Sequence, residues 1–119
     1  MTSDISIRPF RGTVTVRFLD VVMASTDAAK IVNHDGVEDQ VFIPFDDIYF
    51  EFLTRSQSQE TCKVKGPATI WSIQAQGRSE SDAMRSYGEN EASRPLARHG
   101  LFDSRKVTVE MAGDDLPVA

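Results

Sequence analysis

Cysteine occurs once in the chain, at Cys62. A single thiol rules out an intramolecular disulfide, and with it every zinc pattern built on several cysteines. His34 and His99 are the only imidazoles and stand far apart in the sequence, so neither a metal site nor any other cofactor is expected. No apolar run approaches the roughly 18 residues of a membrane span, and no basic segment leads into an apolar one near the start. The expected setting is therefore soluble and cytoplasmic. A net charge of −5 weighs against nucleic acid and anionic membranes as partners, because phosphate binding rests on a cationic footprint. The chain also lacks Gly-x-Gly-x-x-Gly, Gly-x-x-x-x-Gly-Lys-Ser/Thr, His-Glu-x-x-His and Gly-x-Ser-x-Gly. The common phosphate, zinc and hydrolase chemistries have no foothold.

What is there reads as one β-rich domain. A length of 119 residues with 40% hydrophobic content suits a single core. Thr13 to Phe18 alternates strictly, which puts Val14, Val16 and Phe18 on one face of a strand. Ile5 and Ile7 suggest an arm or edge strand over residues 1–12, followed by the domain proper over 13–112 and a disordered tail over 113–119. Val21 to Ala24, Ala28 to Asn33 and Gln40 to Ile43 are further strand candidates, and residues 33–36 are turn chemistry that leaves His34 exposed in a loop. Ile48, Phe50 and Phe52 alternate, which predicts a central strand over 48–53, with 55–60 as a polar connection beyond it. Ser93-Arg94-Pro95 and Gly100 bracket a short helix near residues 93–99. The expected core is Val14, Val16, Phe18, Phe42, Ile48, Phe50, Phe52, Cys62, Trp71, Ile73, Phe102 and Val107.

Residues 60–73 concentrate the chemistry: the one cysteine, the one tryptophan and two lysines surround Gly66-Pro67. The pattern predicts a β-hairpin that turns at Gly66-Pro67. An even loop would set Cys62 and Val64 on the face of Trp71 and Ile73, whereas an odd one would set Lys63 and Lys65 there. Burying Trp71 against two ammonium groups wastes apolar surface, so the even loop is expected. Lys63 and Lys65 then share the other face, in solvent or at the mouth of a cleft, and Cys62 is an inert thiol.

Cys62-x-x-Lys65-Gly66-x-Ala68-x-x-Trp71 is similar to the central motif of domain-of-unknown-function family 427. Ile43-Pro44-Phe45-Asp46-Asp47-Ile48, Asp82-Ala83-Met84-Arg85-Ser86-Tyr87 and His99-Gly100-Leu101-Phe102 resemble further family landmarks in the same order, and the likeness covers roughly residues 5 to 110. The resemblance implies a mainly β fold of bent antiparallel sheets, tent-like and without metal. Departures fall where relatives carry rings: Lys63-Val64, Arg85 and Phe102-Asp103-Ser104 stand at positions where the resemblance implies three rings that could line a pocket.

Polar groups at these landmarks form a candidate ligand-binding set: Asp47, Lys65, Trp71, Arg85, Ser86 and Tyr87. Lys65 and Arg85 would neutralise charge, Tyr87 would donate a hydrogen bond and Trp71 would wall the site. The partner this implies is a small anionic or carbonyl-containing molecule near Lys65, with catalysis left open and self-association into a homo-oligomer left open. Two other functions compete. A non-enzymatic interaction module would use a sheet edge or apolar patch. Nucleotidyl transfer, a label attached to the family, would need carboxylates such as Asp46-Asp47 to hold a metal.

Overall fold

The computed structural model describes residues 5–34, 39–62 and 65–113, with the backbone alone at His34, Ser58 and Gln59. Ten strands occur among them: β1 (Ile5–Pro9), β2 (Gly12–Phe18), β3 (Val21–Thr26), β4 (Lys30–His34), β5 (Gln40–Pro44), β6 (Leu53–Cys62), β7 (Gly66–Ala75), β8 (Arg78–Ser86), β9 (His99–Phe102) and β10 (Thr108–Gly113). Seven form one antiparallel sheet in the order β1-β4-β5-β9-β8-β7-β6, and three form a second in the order β10-β2-β3. The sheets curl into a half-barrel, the mainly β, bent antiparallel architecture expected.

Cross-strand pairs place opposite residues on the same face, so the register sorts the side chains of the large sheet. Phe42↔Leu101, Leu101↔Arg85 and Arg85↔Ile70 run across one face. Phe102↔Met84 and Met84↔Trp71 run across the other. The second face meets β2 and β3: Val14, Val16, Phe18, Met23, Ile43, Met84 and Phe102 are buried together in the main core. On the first face Val32, Phe42 and Leu96 form a smaller cluster, with Ile5, Ile7, Tyr87 and Leu101 packed around it. Gly100 is packed against the main core: a Cβ there would come 2.5 Å from Met84 Sδ and 3.0 Å from Ile48 Cδ1.

Several expectations change. The strand foreseen over 48–53 is broken into 3-10 turns at Phe45–Asp47 and Phe50–Phe52. Phe45 O accepts from Ile48 N and Tyr49 O accepts from Phe52 N, so these backbone groups close locally instead of joining a ladder. Ile48 makes a single bridge to Ala24. The polar stretch 55–60 belongs to β6, the sheet's edge, where exposed side chains need no apolar pattern. Near residue 95 the expected helix is one 3-10 turn, Arg94–Leu96; Ser93 Oγ bonds Asn90 Oδ1 at 2.8 Å instead of capping it. Phe50, Phe52 and Trp71 border the core half-buried, and Cys62 is half-buried away from it. Gly113, expected in the tail, closes β10, while residues 1–4, 114–119, Asp35, Gly36, the side chain of His34 and the Lys63-Val64 pair lie outside the described residues.

Hairpin register is the largest correction. Cys62 pairs with Gly66, Thr61 with Pro67 and Glu60 with Ala68. The connection therefore has an odd number of residues, and the chain reverses before Gly66-Pro67, which already lie in β7. Cys62 and Glu60 share a face with Ala68 and Ile70, opposite Trp71. Burial shows the same phase: Gly66, Ala68 and Ile70 are buried, then a register shift between Trp71 and Ile73 moves burial to Ile73 and Ala75. β8 supplies the extra residues of that bulge and carries Asp82 at φ 53° within it.

Candidate functional site

Three of the six candidate residues come together on the first face of the large sheet. Arg85 in β8 and Tyr87 just after it point to the same side, and Lys65 precedes β7 beside them. Lys65 is only 3% exposed. Its Nζ sits 5.3 Å from the centre of the Tyr87 ring, a cation–π arrangement. Among the described residues no carboxylate pairs with that ammonium. Gly66 has φ 81°, and a Cβ on it would come 2.9 Å from Asn90 Nδ2, so Asn90 occupies the space that glycine leaves. Asn90 is itself anchored, its Oδ1 accepting from Ser93 N at 2.8 Å. The segment after Tyr87 thus closes over the Gly66 backbone, next to Lys65.

Arg85 holds Glu60 through two parallel bonds, Nε to Oε1 at 2.8 Å and Nη2 to Oε2 at 2.9 Å. Its Nη1 reaches Asp82 O at 3.3 Å. The hydrogen bond from Arg85 lowers the Glu60 pKa against a smaller opposing effect of desolvation, and the bond to Glu60 raises that of Arg85. Tyr87 is pushed up chiefly by burial, with Cys62 nearby adding to the shift and Arg85 opposing it. The phenol therefore keeps its proton at neutral pH. Tyr87 packs at 6.1 Å from Phe42, ring centre to ring centre, which fixes its plane from the β5 side.

Beside Arg85 and Tyr87 opens a cleft of about 520 Å³. β5 and β9 are paired from Phe42↔Leu101 to Pro44↔His99 and part beyond Phe42. Gln40, Val41, Leu101 and Phe102 line the gap, and Val109 and Met111 of β10 close it from the second sheet. Gln40 lines the cleft, but its Oε1 is itself buried, without a hydrogen-bond partner among the described residues. At the rim, Asp103 accepts from Arg105 N at 2.9 Å, Nε at 3.1 Å and Nη2 at 2.9 Å. The side-chain bond to Arg105 is the main reason its pKa is lowered. Asp39 is likewise held, by Arg8 at 3.1 Å and by Asn33 at 3.0 Å.

The other three candidates lie elsewhere. Trp71 is on the opposite face, edge-on to Phe50 at 5.2 Å and to Phe45 at 6.4 Å, and its Nε1 donates to Ser86 Oγ at 3.4 Å. That bond occupies Ser86 as well, and neither wall nor hydroxyl faces Lys65. Asp47 accepts from Thr26 Oγ1 at 2.6 Å, while Asp46 pairs loosely with Arg98 at 3.7 Å. The two adjacent carboxylates therefore turn to different partners. Among the described residues no three His, Cys, Asp or Glu side chains gather as metal ligands. No helix among them is long and apolar enough to cross a membrane.

Glu60, Gln40, Asp103 and Arg105 escaped the sequence reading. Glu60 was legible in principle: in the odd register it falls on the face of Arg85. Gln40 carried no signal, since its position follows from the parting of β5 and β9. A search of curated proteins found no match. The model of the family described as a domain of unknown function, DUF427, matches residues 6–113, which include every strand from β2 to β10 and the whole of the Lys65, Arg85 and Tyr87 cluster. This chain belongs to the DUF427 family.

Proposed function

We propose that this domain binds a small anionic or carbonyl-containing molecule in the cleft between β5 and β9, against Tyr87 and Arg85, with Lys65 holding Tyr87 from behind. The observation that carries the reading is the burial of the Lys65 ammonium over the Tyr87 ring without a carboxylate partner among the described residues. Desolvating an ammonium is costly, and a fold needing only packing at that position has cheaper side chains for it. The positive charge behind the ring favours an electron-rich group in front of it, and the protonated phenol can donate to that group. Lys65 is thus a positioning residue, and Tyr87 the group that meets the ligand. A role in handling a small metabolite fits the expected cytoplasmic setting.

Thermal-shift measurement over a collection of small carbonyl compounds and organic acids tests this reading. At least one should raise the Tm of the wild type, and the rise should be lost in Tyr87→Phe, which removes only the hydroxyl. Equal rises in both proteins, or none in either, would remove the support for a site at Tyr87.

A second reading has its own observation. β6 is a ten-residue strand at the edge of the large sheet, a place where a partner strand or a second copy could add. Its pairing with β7 breaks between Arg55 and Gln59, and such irregularity discourages edge-to-edge addition. Nucleotidyl transfer draws no support from Asp46 and Asp47, which are turned to different partners.

A further inference from the structure

We infer that the ligand is a carboxylic acid with an apolar body, its carboxylate seated on Tyr87 and Arg85 and its body laid along Val41, Val109 and Met111. This rests on the reading of the β5–β9 cleft as a small-molecule site and narrows the class of molecule it takes.

Hydrogen-bond donors are left over at the cleft, whereas its carboxylates and its one side-chain amide are spent. Asp103 accepts three bonds from Arg105, Asp39 is held by Arg8 and Asn33, and Gln40 Oε1 is closed off by burial. Arg85 is placed differently. A guanidinium has five N–H groups; Nε, Nη1 and Nη2 of Arg85 each make one bond, to Glu60 and Asp82, so two N–H groups remain. The Tyr87 hydroxyl bonds to no described residue. Gln40 Oε1 is the only buried side-chain oxygen or nitrogen among them without a partner, so the Tyr87 hydroxyl is open to solvent, and burial of the ring keeps it protonated. Both residues line one cavity. The group that accepts from both and answers the guanidinium with a negative charge is a carboxylate.

Charge on the lining favours one such group. The bond to Asp103 raises the Arg105 pKa and the charge of Arg85 works against it, so the two guanidiniums lie in each other's field and an anion between them relieves the repulsion. With Asp39 and Asp103 on the same lining, one negative charge is favoured over two. The rest of the cavity is apolar. Met111 is 41% exposed, and Val41, Leu101 and Val109 near it are only half-buried. The fold leaves that wall uncovered, and a methionine side chain adapts to what covers it. A volume of about 520 Å³ lies within the roughly 300–1,000 Å³ of small-molecule sites, enough for an apolar body beside the carboxylate.

The experiment titrates four probes by calorimetry or NMR: phenylacetate, its neutral isostere phenylacetamide, the dianion phenyl phosphate, and acetate, which has no apolar body. Phenylacetate should bind wild type at least about tenfold tighter than the other three, equivalent to about 1.4 kcal/mol. The double variant Glu60→Gln with Arg85→Gln removes the guanidinium without changing net charge. It should bring phenylacetate down to the level of phenylacetamide and leave phenylacetamide unchanged. If that variant does not fold, Arg85→Lys keeps a charge beside Glu60, removes the fork and should weaken phenylacetate alone. Another probe matching phenylacetate, or phenylacetate unaffected by loss of the Arg85 fork, overturns the acid assignment; where binding is still lost in Tyr87→Phe, the cleft stands as the site. No binding by any probe, or binding indifferent to Tyr87→Phe, overturns the assignment and also contradicts the proposed function.

Discussion

Lys65 Nζ lies 5.3 Å from the centre of the Tyr87 ring in a residue only 3% exposed, so ring and ammonium are desolvated against each other. A cation–π contact of this kind is worth roughly 0.5–2 kcal/mol, more when water is excluded. Its strength is separable from packing by a double-mutant cycle of Lys65→Met and Tyr87→Leu in urea denaturation. The expected coupling is about 1 kcal/mol. Additive effects would mean that the two side chains are neighbours without a charge–ring attraction.

Arg85 and Glu60 form a bidentate pair whose side chains are 22% and 49% exposed. Partly exposed pairs are screened, so Glu60→Gln should cost less than about 1 kcal/mol. Its functional effect should be larger than its structural one. Releasing the guanidinium gives the cleft a free anion-binding fork, and Glu60→Gln should bind phenylacetate more tightly than wild type does. Calorimetric titration of both proteins checks this; unchanged affinity would show that Arg85 is not accessible from the cleft.

Trp71 packs edge-on against Phe45 and Phe50 with its indole N–H bonded to Ser86. Because the ring is half-buried, Trp71→Ala should cost about 3 kcal/mol, the lower end of the range for aromatic truncation. It is the only tryptophan, so fluorescence excited selectively at tryptophan reports on this face alone. Ligand binding at Tyr87, on the opposite face, should leave the emission maximum unchanged, and a ligand-induced shift would relocate the site.

Acid sensitivity should have two windows. Burial lowers the pKa of His99, whose Nδ1 donates to Ala97 O at 2.9 Å. Below the ordinary histidine value of about 6.5 the unfolded chain takes a proton that the folded chain refuses. Stability therefore falls as pH drops from that value through the lowered folded one. The Asp103 carboxyl is lowered mainly by Arg105, so its contribution is complete above about 3.9 and is lost on further acidification. His99→Gln should flatten the Tm profile between about pH 7 and 5, and Asp103→Asn should flatten it below about pH 4. Wild-type Tm rising on acidification from pH 7 to 5 would contradict the sign for His99, and Tm rising on acidification below about pH 4 would contradict the sign for Asp103.

Where side-chain period and burial have one cause, the fold was legible in the sequence. Val14, Val16 and Phe18 alternate because β2 has one face in the core, and all three are buried. The same alternation at Ile48, Phe50 and Phe52 misled, because period two reports which side chains are apolar and not where the backbone hydrogen bonds go. Register failed for a related reason. Trp71 does not face the residues around the turn, because β6 is an edge strand with a break in pairing and β7–β8 carries a bulge. Lys65, Arg85 and Tyr87 were found because they fall at motif positions that the fold brings together. Gln40 was not, since an unsatisfied amide exists only once β5 and β9 have parted around it.

The most direct test of a binding site in this cleft is amide chemical-shift mapping of the labelled protein during titration with the small carbonyl and carboxylate compounds. Perturbations should centre on Gln40, Leu101, Arg85 and Tyr87 and should collapse in Tyr87→Phe. Shifts scattered over the surface, or concentrated along the β6 edge and unchanged in that variant, would contradict the account.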